Sequence, residues 1–452
     1  MTMKITFKAS NLLEALSFVG TVEPRALTAQ QHSAAYLFNC KMADGKPYCH
    51  VFSRSDNQVA RAGFELEELE GEGLFTLPSK HADLIREIPD DTVTMESKTE
   101  DKSDGEAYML SIRSTSGTKY DHSTFNPRLV TPCDKEFDAA VKNGSVTYNV
   151  GILREALSMA SPFLPGADKK GDIGEHFNTI QIFDQSNPEC AKGDGHLFCS
   201  DAARAFFFEA EEFKNKGFSI HQKHVGKLTE FLGKCDGVRI YRGTSQSFAV
   251  NVKTEKVKDA EGKETGEVRE IESDQLFAWN HDTKAHTRFA YYSLARDKYV
   301  IIAPKSTLLK ALNQAKILID QKMDKVKLVY THQNTAFGGG HSLHFGSNES
   351  AGKVESFFVP TDDSKREDDR TTDEKDFECF VNLDHFKSII DRAIGNQVEL
   401  RISPIVKDDV RRGGAMIRTI DDVPFDANGK VASGETPVRF KCKVTRFMPS
   451  ML

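Results

Sequence analysis

Two kinds of stretch in the last third of the chain have residue types that could do chemistry. Asp362-Asp363 and Asp368-Asp369 are paired carboxylates of the kind that hold Mg²⁺ in a metal-dependent nuclease. They lie in a segment rich in Ser, Lys and Arg, with no strand pattern to fix them, so a solvated loop is the simpler interpretation. The run Gly338-Gly339-Gly340-His341 lacks the Lys-Ser/Thr of a phosphate-binding loop and has no G-x-S-x-G partner elsewhere.

Histidine and cysteine spacing does not indicate a metal site either. His221 and His224 flank Lys223 near a predicted helix start, but no third ligand accompanies them. The eight cysteines include no C-x-x-C pair, and several lie in apolar strand contexts, which favours reduced, buried thiols. We therefore expect a non-catalytic chain without a metal or cofactor.

The elements that would position any site follow a repeated pattern of a strand followed by a helix. At 146–160, strand-like alternation leads into a helix whose apolar stripe is Leu153, Ala156, Leu157 and Ala160. The same spacing recurs twice, and the three local sequences are Leu-Leu-Glu-Ala-Leu, Leu-Arg-Glu-Ala-Leu and Leu-Leu-Lys-Ala-Leu. The two other stripes are Leu12, Ala15, Leu16, Val19 and Leu308, Ala311, Leu312, Ala315.

A second pattern of strand, helix, tight turn and strand falls between these copies. It occurs at 74–95, 218–241 and 377–402. Its predicted helices carry the apolar residues Leu84, Ile85, Ile88; Val225, Leu228, Leu232; and Phe386, Ile389, Ile390, Ala393. The chain thus alternates the two patterns three times, with a repeat step of roughly 70–80 residues, and each pair has the size of a compact domain.

Length and composition agree with an α+β protein of three similar domains. The chain has 452 residues and is therefore too long to fold around a single core. Its hydrophobic content of 39% is sufficient to build several cores. We predict domains at 1–144, 145–296 and 297–452, with insertions at about 254–273, 361–376 and 407–434. The net charge of −7 argues against general, charge-driven binding of nucleic acid but allows a local basic surface. No membrane span or signal-peptide core is present in the sequence, so a cytoplasmic location is expected.

The three-fold arrangement resembles the bacterial sliding clamp, the beta subunit of DNA polymerase III, over the whole chain. The opening Met3–Phe7 with Leu12–Leu16 is similar to the start of that family. Leu77–Lys80 is similar to its second-helix entry, and Ser200–Ala205 to its Thr-Asp-Gly-His-Arg-Leu. Asn382–Phe386 resembles its Asn-Val-Ser-Tyr segment. The ending Phe447–Leu452 resembles its C-terminal Val-Met-Pro-Met-Arg-Leu. The insertions and the loss of Gly-His suggest a divergent member, for example from a bacteriophage that replicates in the host cytoplasm.

The resemblance implies a head-to-tail homodimer that closes into a ring around duplex DNA. Antiparallel sheets would form the outside of the ring, and helices would line the hole. Such a clamp tethers the replicative polymerase, the clamp loader and repair proteins, and has no catalytic activity. The residues expected to face DNA are Arg25, Lys80, Arg86, His176, Lys227 and Lys310. The same helix faces also carry acidic residues, so a uniformly basic hole is not predicted; these are Glu14, Asp83, Glu155, Glu230 and Asp391.

The resemblance also implies a cleft that binds short peptides ending in apolar residues. Methionine and proline suit varied apolar peptides because methionine adapts its shape. Met448 and Met451 could instead simply fill the core of the third domain. Carried over residue by residue, the cleft would comprise Phe177, Ser200, Arg204, Ala205, Asn382, His385, Phe447, Met448, Pro449, Met451 and Leu452.

Two alternatives belong to other functional classes. The first is a metal-dependent nuclease that uses the acidic segment at 362–369. The second is a structural scaffold that never contacts DNA. The clamp hypothesis predicts that deletion of Met448–Leu452 abolishes stimulation of the polymerase while leaving the fold and the oligomer intact.

Overall fold

The computed structural model gives an α+β chain built from antiparallel sheets and short helices. It describes residues 2–24, 26–28, 31–88, 91–102, 105–165, 175–183, 196–214, 216–258, 264–280, 299–318, 325–335, 338–346, 353–358, 377–404 and 415–449. The chain divides into two compact units. The first comprises 1–154 and 223–282, and the second comprises 155–222 and 283–452. The predicted three-domain boundaries are not tested by this division and remain predictions.

The first unit contains two antiparallel sheets. A five-stranded sheet has the order β10-β9-β8-β1-β6. A larger sheet has the order β11-β16-β17-β18-β5-β4-β3-β2, with β7 also paired to β3. The strands are β1 Thr2–Lys8, β2 Ala26–Thr28, β3 Gln31–Ala43, β4 Lys46–Arg54, β5 Gln58–Glu65, β6 Glu68–Glu70, β7 Gly73–Pro78, β8 Thr92–Lys102, β9 Gly105–Ser114, β10 Lys119–Thr124, β11 Ser145–Tyr148, β16 Gly237–Arg242, β17 Gln246–Lys258 and β18 Glu264–Asn280.

The second unit also contains two antiparallel sheets. An eight-stranded sheet has the order β15-β12-β13-β14-β26-β25-β24-β19, and a four-stranded sheet has the order β22-β21-β20-β23. The strands are β12 Thr179–Phe183, β13 His196–Ser200, β14 Ala205–Glu209, β15 Phe218–His221, β19 Tyr299–Pro304, β20 Lys325–Thr335, β21 Gly338–Gly346, β22 Lys353–Phe358, β23 Phe377–Asn382, β24 Gln397–Pro404, β25 Ala415–Phe425 and β26 Phe440–Pro449.

Seven α-helices are present in the described ranges. In the first unit α1 packs beside α2, and in the second unit α6 packs beside α7. The exposed ion pair from Lys316 to Asp384, 2.8 Å long, joins α6 to α7. The helices are α1 Ala9–Val19, α2 Ser79–Arg86, α3 Asp134–Val141, α4 Val150–Ala160, α5 Gln222–Leu232, α6 Lys305–Leu318 and α7 Leu383–Asp391.

The three apolar stripes predicted for the first pattern are confirmed. All twelve residues of these stripes are buried, and each stripe lies on a helix that directly follows a strand or begins within one residue of it. The second pattern is confirmed for α5 and α7, whose predicted apolar residues are also buried. The predicted helix around Leu84 and Ile85 is also present as α2; Ala82 and Ile85 form its buried face, whereas the Leu84 side chain is 44% exposed.

Two segments in which the sequence predicted no helix or strand form regular secondary structure. Helix α3, at Asp134–Val141, follows the proline-containing connector and was not predicted, since its only fully buried residue is Ala140 and the apolar period is short. Within the predicted insertion at 407–434 the chain forms β25, which lies between β24 and β26 in the eight-stranded sheet. The span 254–273 belongs to the β17–β18 hairpin over its described residues, in agreement with the predicted hairpin.

The β3–β4 hairpin turns at Asp44-Gly45. Both residues have positive φ, 49° and 78°, which is the backbone of the two-residue turn that Asp-Gly favours. Because the turn is tight, it fixes the register of the whole hairpin, from Ala43 opposite Lys46 to Leu37 opposite Phe52.

No helix in the described part of the chain is long and apolar enough to cross a membrane.

Candidate functional site

The turn between β13 and β14 is held by its own side chains. Ser200 Oγ donates to the carbonyl of Arg204 at 2.8 Å and accepts from the amide of Ala202 at 3.1 Å. Asp201 Oδ1 accepts from the amides of Ala203 and Arg204 at 3.1 and 2.6 Å. Ala202 therefore adopts φ of 70°, a left-handed conformation that L-residues other than glycine rarely adopt.

The Arg204 guanidinium is bound on three sides. Its Nε and Nη2 form a forked ion pair with Asp201 Oδ2 at 2.9 and 2.6 Å. Nη2 also donates to the carbonyl of Pro162 at 3.1 Å, and Nη1 donates to Ser388 Oγ on α7 at 2.9 Å. The guanidinium carbon lies 5.4 Å from the centre of the Phe163 ring. These bonds use four of the five donors of the guanidinium, and the second Nη1 hydrogen has no hydrogen-bond partner among the described residues.

Helix α7 begins at the predicted Asn382 segment. Asn382 Oδ1 accepts from the amide of His385 at 2.9 Å and thereby caps the helix. Both side chains are half-buried. The sequence therefore folds locally as a strand, a capping residue and a helix, and Ser388 of the same helix reaches Arg204.

Strand β26 brings the C-terminal motif beside the β13–β14 turn. Ala205 lies opposite Phe447 in the ladder, and Met448 lies opposite Ile417. The Phe447 ring contacts Phe207 at 5.0 Å in an edge-to-face arrangement. The exposed fractions of Phe447 and Met448 are only 3% and 1%, so their side chains are part of the core.

The structure thus places most of the predicted cleft residues in one sheet and the helix bonded to it. Ser200, Ala205 and Phe177 are also buried, and Phe177 lies in a helical turn that packs on β13. Pro449 ends β26 opposite Met416, whereas Met451 and Leu452 lie outside the described residues. The more exposed members are Arg204, Asn382 and His385. Sequence reasoning missed Asp201 and Ser388 as positioning residues, although the spacing of Asp201 and Arg204 could have suggested their ion pair.

The predicted DNA-facing residues are spread over several helices. Lys80, Arg86 and Lys310 are exposed on α2 and α6, and Lys227 is half-exposed on α5. Arg86 is paired with Asp83 at 2.6 Å and Lys227 with Glu230 at 3.4 Å, which reduces the positive charge they present. Lys80 and Lys310 make no ion pair with any residue whose position the structure describes.

The two remaining candidates give less information. Arg25 lies outside the described residues. The backbone of His176 belongs to the helical turn Glu175–Asn178, and nothing is described of its side chain.

A histidine pair lies next to Lys80. The rings of His81 and His122 have centroids 4.0 Å apart, and Tyr120 Oη lies 2.9 Å from His81 Nε2. Burial, and then the charges of His122 and Lys80, lower the pKa of His81, while burial and the Lys80 charge lower the pKa of His122. Both shifts favour the neutral rings and so reduce the positive charge that the histidines add beside Lys80.

A metal centre is not formed by the residues whose placement is described: no group of three or more His, Cys, Asp or Glu side chains could hold an ion there. The Asp362–Asp369 segment proposed for a nuclease lies outside the described residues.

Sequence comparison alone does not connect the chain to a known family. No protein-family model matches it, and no curated protein matches it in sequence.

Comparison with solved structures does find relatives in fold. The DNA polymerase sliding clamp from Pseudomonas aeruginosa, solved with a ligand, superposes with a TM-score of 0.62 at 14% identity, covering 100% of both chains. The sliding clamp from Bacillus subtilis gives a TM-score of 0.59 at 12% identity with the same coverage. The sliding clamp from Bartonella birtlesii, bound to griselimycin, gives 0.57 at 14% identity over 100% of both chains.

These matches extend over the full length of both proteins, so they concern the whole arrangement of sheets and helices rather than one domain. The resemblance inferred from the ordered sequence motifs is confirmed at the level of the fold: this chain has the three-domain fold of the DNA polymerase III beta subunit, the bacterial sliding clamp.

Proposed function

We propose that this protein is a sliding clamp that encircles duplex DNA as a head-to-tail ring of two copies and tethers the replicative polymerase. The observation that carries the proposal is the match in fold to sliding clamps over 99–100% of the chain. In this role the protein is a non-catalytic processivity factor that requires no cofactor and acts in the cytoplasm of a bacterium or of a phage-infected cell. A clamp loader would open the ring.

The ends of the sheets support a ring. Strand β10 ends the five-stranded sheet and β22 ends the four-stranded sheet, each with one neighbour among the strands described. An unpaired edge can pair with another chain, and a head-to-tail contact that closes on itself gives a ring without free edges. Two copies of a three-domain chain, joined by two identical head-to-tail contacts, would form such a ring of six domains.

The modest positive charge on the helices fits a ring better than an open DNA-binding surface. Of the predicted DNA-facing residues, Arg86 and Lys227 are already paired with carboxylates. A closed ring holds DNA by topology, so a few contacts with the phosphate backbone are sufficient and the ring can slide. Lys80 and Lys310 are the candidates for such contacts.

The test is retention on DNA without ends. The chain is first measured by light scattering over a dilution series, where a species of twice the chain mass is expected. It is then assembled on nicked circular DNA by its loader, or by simple mixing at high concentration, and passed over a sizing column. We expect retention on the circle and loss after a restriction enzyme linearises the same DNA.

The linearised circle is the matched control, because its length and sequence are unchanged. Equal retention on the circular and linear forms would contradict encirclement and favour ordinary surface binding. A monomer at every concentration, together with no retention on the circle, would contradict the ring itself.

The peptide cleft is tested separately, with griselimycin as the probe, since it binds sliding clamps of the same fold. Deletion from Met448 would remove a buried residue of β26, so its effect would mix folding with binding. Deletion of 450–452 leaves the described ladder intact. We expect this deletion and His385→Ala each to weaken binding at least about tenfold, with an unchanged unfolding midpoint. Unchanged binding by both variants would exclude these residues from the cleft.

A further inference from the structure

Two cysteines that are nine residues apart in the sequence meet across the β3–β4 hairpin. Cys40 and Cys49 are directly opposite in the ladder, and their sulfur atoms are 3.0 Å apart. Three residue pairs separate them from the Asp44-Gly45 turn, beginning with Lys41 opposite Tyr48. The sequence contains no C-x-x-C motif, so this pairing comes entirely from the hairpin register.

The strand geometry suits a covalent link. Opposite residues of antiparallel strands have Cα atoms about 4.5 or 5.5 Å apart, and both values lie within the range of about 4.4–6.8 Å seen in disulfides. On its other side, Cys40 faces Gly73 of β7, where there is no side chain. A Cβ built on Gly73 would meet only Met3 Sδ, at 3.9 Å. Gly73 therefore places no side chain of its own beside Cys40.

The closed hairpin protects both thiols. Neither side chain is exposed to solvent, and burial, followed by the hydrogen bond to Cys40, raises the pKa of the Cys49 thiol well above its usual range. The thiol form is unreactive, so attack requires a brief opening that hydrates the sulfur. The hairpin end is the place for such an opening, since Met42 is 49% exposed and Lys46 is exposed.

We propose that Cys40 and Cys49 form a redox-sensitive dithiol that closes to a cross-strand disulfide when a small disulfide such as oxidised glutathione is in excess. A thiolate of the opened hairpin attacks one sulfur of glutathione disulfide, giving a mixed disulfide and releasing one glutathione thiolate. The second cysteine, after losing its proton to solvent, attacks the protein sulfur of the mixed disulfide and releases the second glutathione. The pair loses two electrons and two protons, and one glutathione disulfide becomes two glutathiones.

The other described cysteines differ from this pair. Cys133 is similarly buried, but among the described residues no second cysteine is hydrogen-bonded to it. Burial raises the pKa of the Cys133 thiol to about 12. Cys133 therefore serves as the control, a buried thiol with a raised pKa like Cys49 but without a paired cysteine among the described residues. The proposal therefore predicts selective oxidation at one pair rather than general oxidation of buried cysteines.

The experiment uses the full chain in buffers of graded reduced-to-oxidised glutathione ratio. After equilibration, exchange is quenched with acid, and the chain is unfolded in the presence of N-ethylmaleimide so that every free thiol is blocked, before digestion with trypsin. Cleavage after Lys41 separates the two cysteines, because one tryptic peptide is Ala26–Lys41 and the other is Met42–Arg54, where the Lys46-Pro47 bond resists trypsin. We expect these two peptides to appear joined, in an amount that rises with the oxidised fraction and disappears on reduction.

Two variants and one stability measurement complete the test. The joined peptides should be absent from Cys49→Ala and unchanged in Cys133→Ala. The unfolding midpoint of the wild-type chain should be higher when oxidised than when reduced, because the link restricts the unfolded chain, and Cys49→Ala should show no such shift. Fully alkylated peptides at every glutathione ratio would overturn the proposal. Joined peptides found only after unfolding in urea, or Cys40 joined equally to other cysteines, would overturn it as well.

Discussion

Ala202 has a backbone conformation that glycine would adopt at lower cost. Its φ of 70° is imposed by the hydrogen bonds that Ser200 and Asp201 make around the turn. The left-handed conformation costs an L-residue roughly 1–2 kcal/mol, and the extra freedom that glycine gives the unfolded chain offsets roughly 0.4–1 kcal/mol of this. We expect Ala202→Gly to increase the free energy of unfolding by about 0.5 kcal/mol in urea denaturation.

Ala203→Gly is the matched control for this substitution. Ala203 lies in the same turn without a left-handed φ, so the same change should lower the free energy of unfolding. A loss of stability in both variants would mean that Ala202 is not strained. The clamp-family motif to which Ser200–Ala205 is similar has glycine at the position of Ala202.

Asp274 links stability to pH. Burial would raise the pKa of its carboxyl, but hydrogen bonds from His50 and Tyr48, together with the charges of His50 and Arg61, lower it to about 2. The His50 Nε2 to Asp274 Oδ1 distance is 3.3 Å, and Arg61 Nη2 lies 3.9 Å from the same oxygen. An unfolded aspartate titrates near a pKa of about 3.9. The folded state therefore favours the ionised carboxyl.

The sign of the effect follows from this difference. The stabilisation is complete above a pH of about 4 and is lost as the pH falls towards 2, because the unfolded chain takes up the proton first. The side chain is 43% exposed, so solvent screening reduces the contribution to about 1 kcal/mol. In urea denaturation between pH 5 and 2, Asp274→Asn should lose stability less steeply than the wild-type chain. Parallel curves would show that Asp274 does not contribute.

At the scale of elements, the N-terminus of α7 connects folding to the candidate cleft. Asn382 caps the helix through the amide of His385. Replacing Asn382 by Ala leaves that amide without its partner and should cost about 1 kcal/mol in the free energy of unfolding. Asn382→Asp keeps an acceptor at the same place, so its stability should stay within about 0.5 kcal/mol of the wild-type value. Equal losses in both variants would assign the effect to packing rather than to the cap.

Helices and turns could largely be predicted from the sequence because their signals are local. The stripe of Leu153, Ala156, Leu157 and Ala160 has the period of a helix, and Asp44-Gly45 has the chemistry of a tight hairpin turn. Helix α3 escaped prediction because it buries only Ala140 completely, so its apolar period is short. The buried face of α2 could not be assigned from Leu84 and Ile85, because a two-turn helix allows several choices of buried stripe.

Contacts across strands were harder to predict because they depend on register. Cys40 and Cys49 are equidistant from the Asp44-Gly45 turn, so counting outwards from that turn would have paired them. Arg204 bonding to Ser388 had no such local signal, because 184 residues separate the two positions. The candidate cleft could therefore be proposed only through resemblance, and its buried members Ala205, Phe447 and Met448 are placed by sheet pairing that the sequence pattern does not contain.

At the scale of the whole molecule, topology and charge make separable contributions to DNA binding by the proposed ring. The net charge is −7, and of the four predicted DNA-facing residues whose side chains are described, Arg86 and Lys227 are paired with carboxylates. Contacts between the protein surface and DNA phosphates weaken as the salt concentration rises, because binding releases counterions from the DNA and added salt opposes that release. A closed ring, in contrast, leaves circular DNA only by opening. Salt should therefore affect the two kinds of DNA differently.

Lys80 and Lys310 are the residues with which to separate these contributions, because both are exposed and make no ion pair among the described side chains. For equilibrium binding to short linear duplexes, Lys80→Ala and Lys310→Ala should each reduce the slope of log K against log salt by about 1. Neither should change the half-life of a ring already closed on nicked circular DNA at high salt. Lys142→Ala, an exposed lysine outside the proposed DNA surface, should alter neither quantity. If the lysine variants shortened retention on the circle in proportion to their loss of linear affinity, charge rather than topology would hold the DNA.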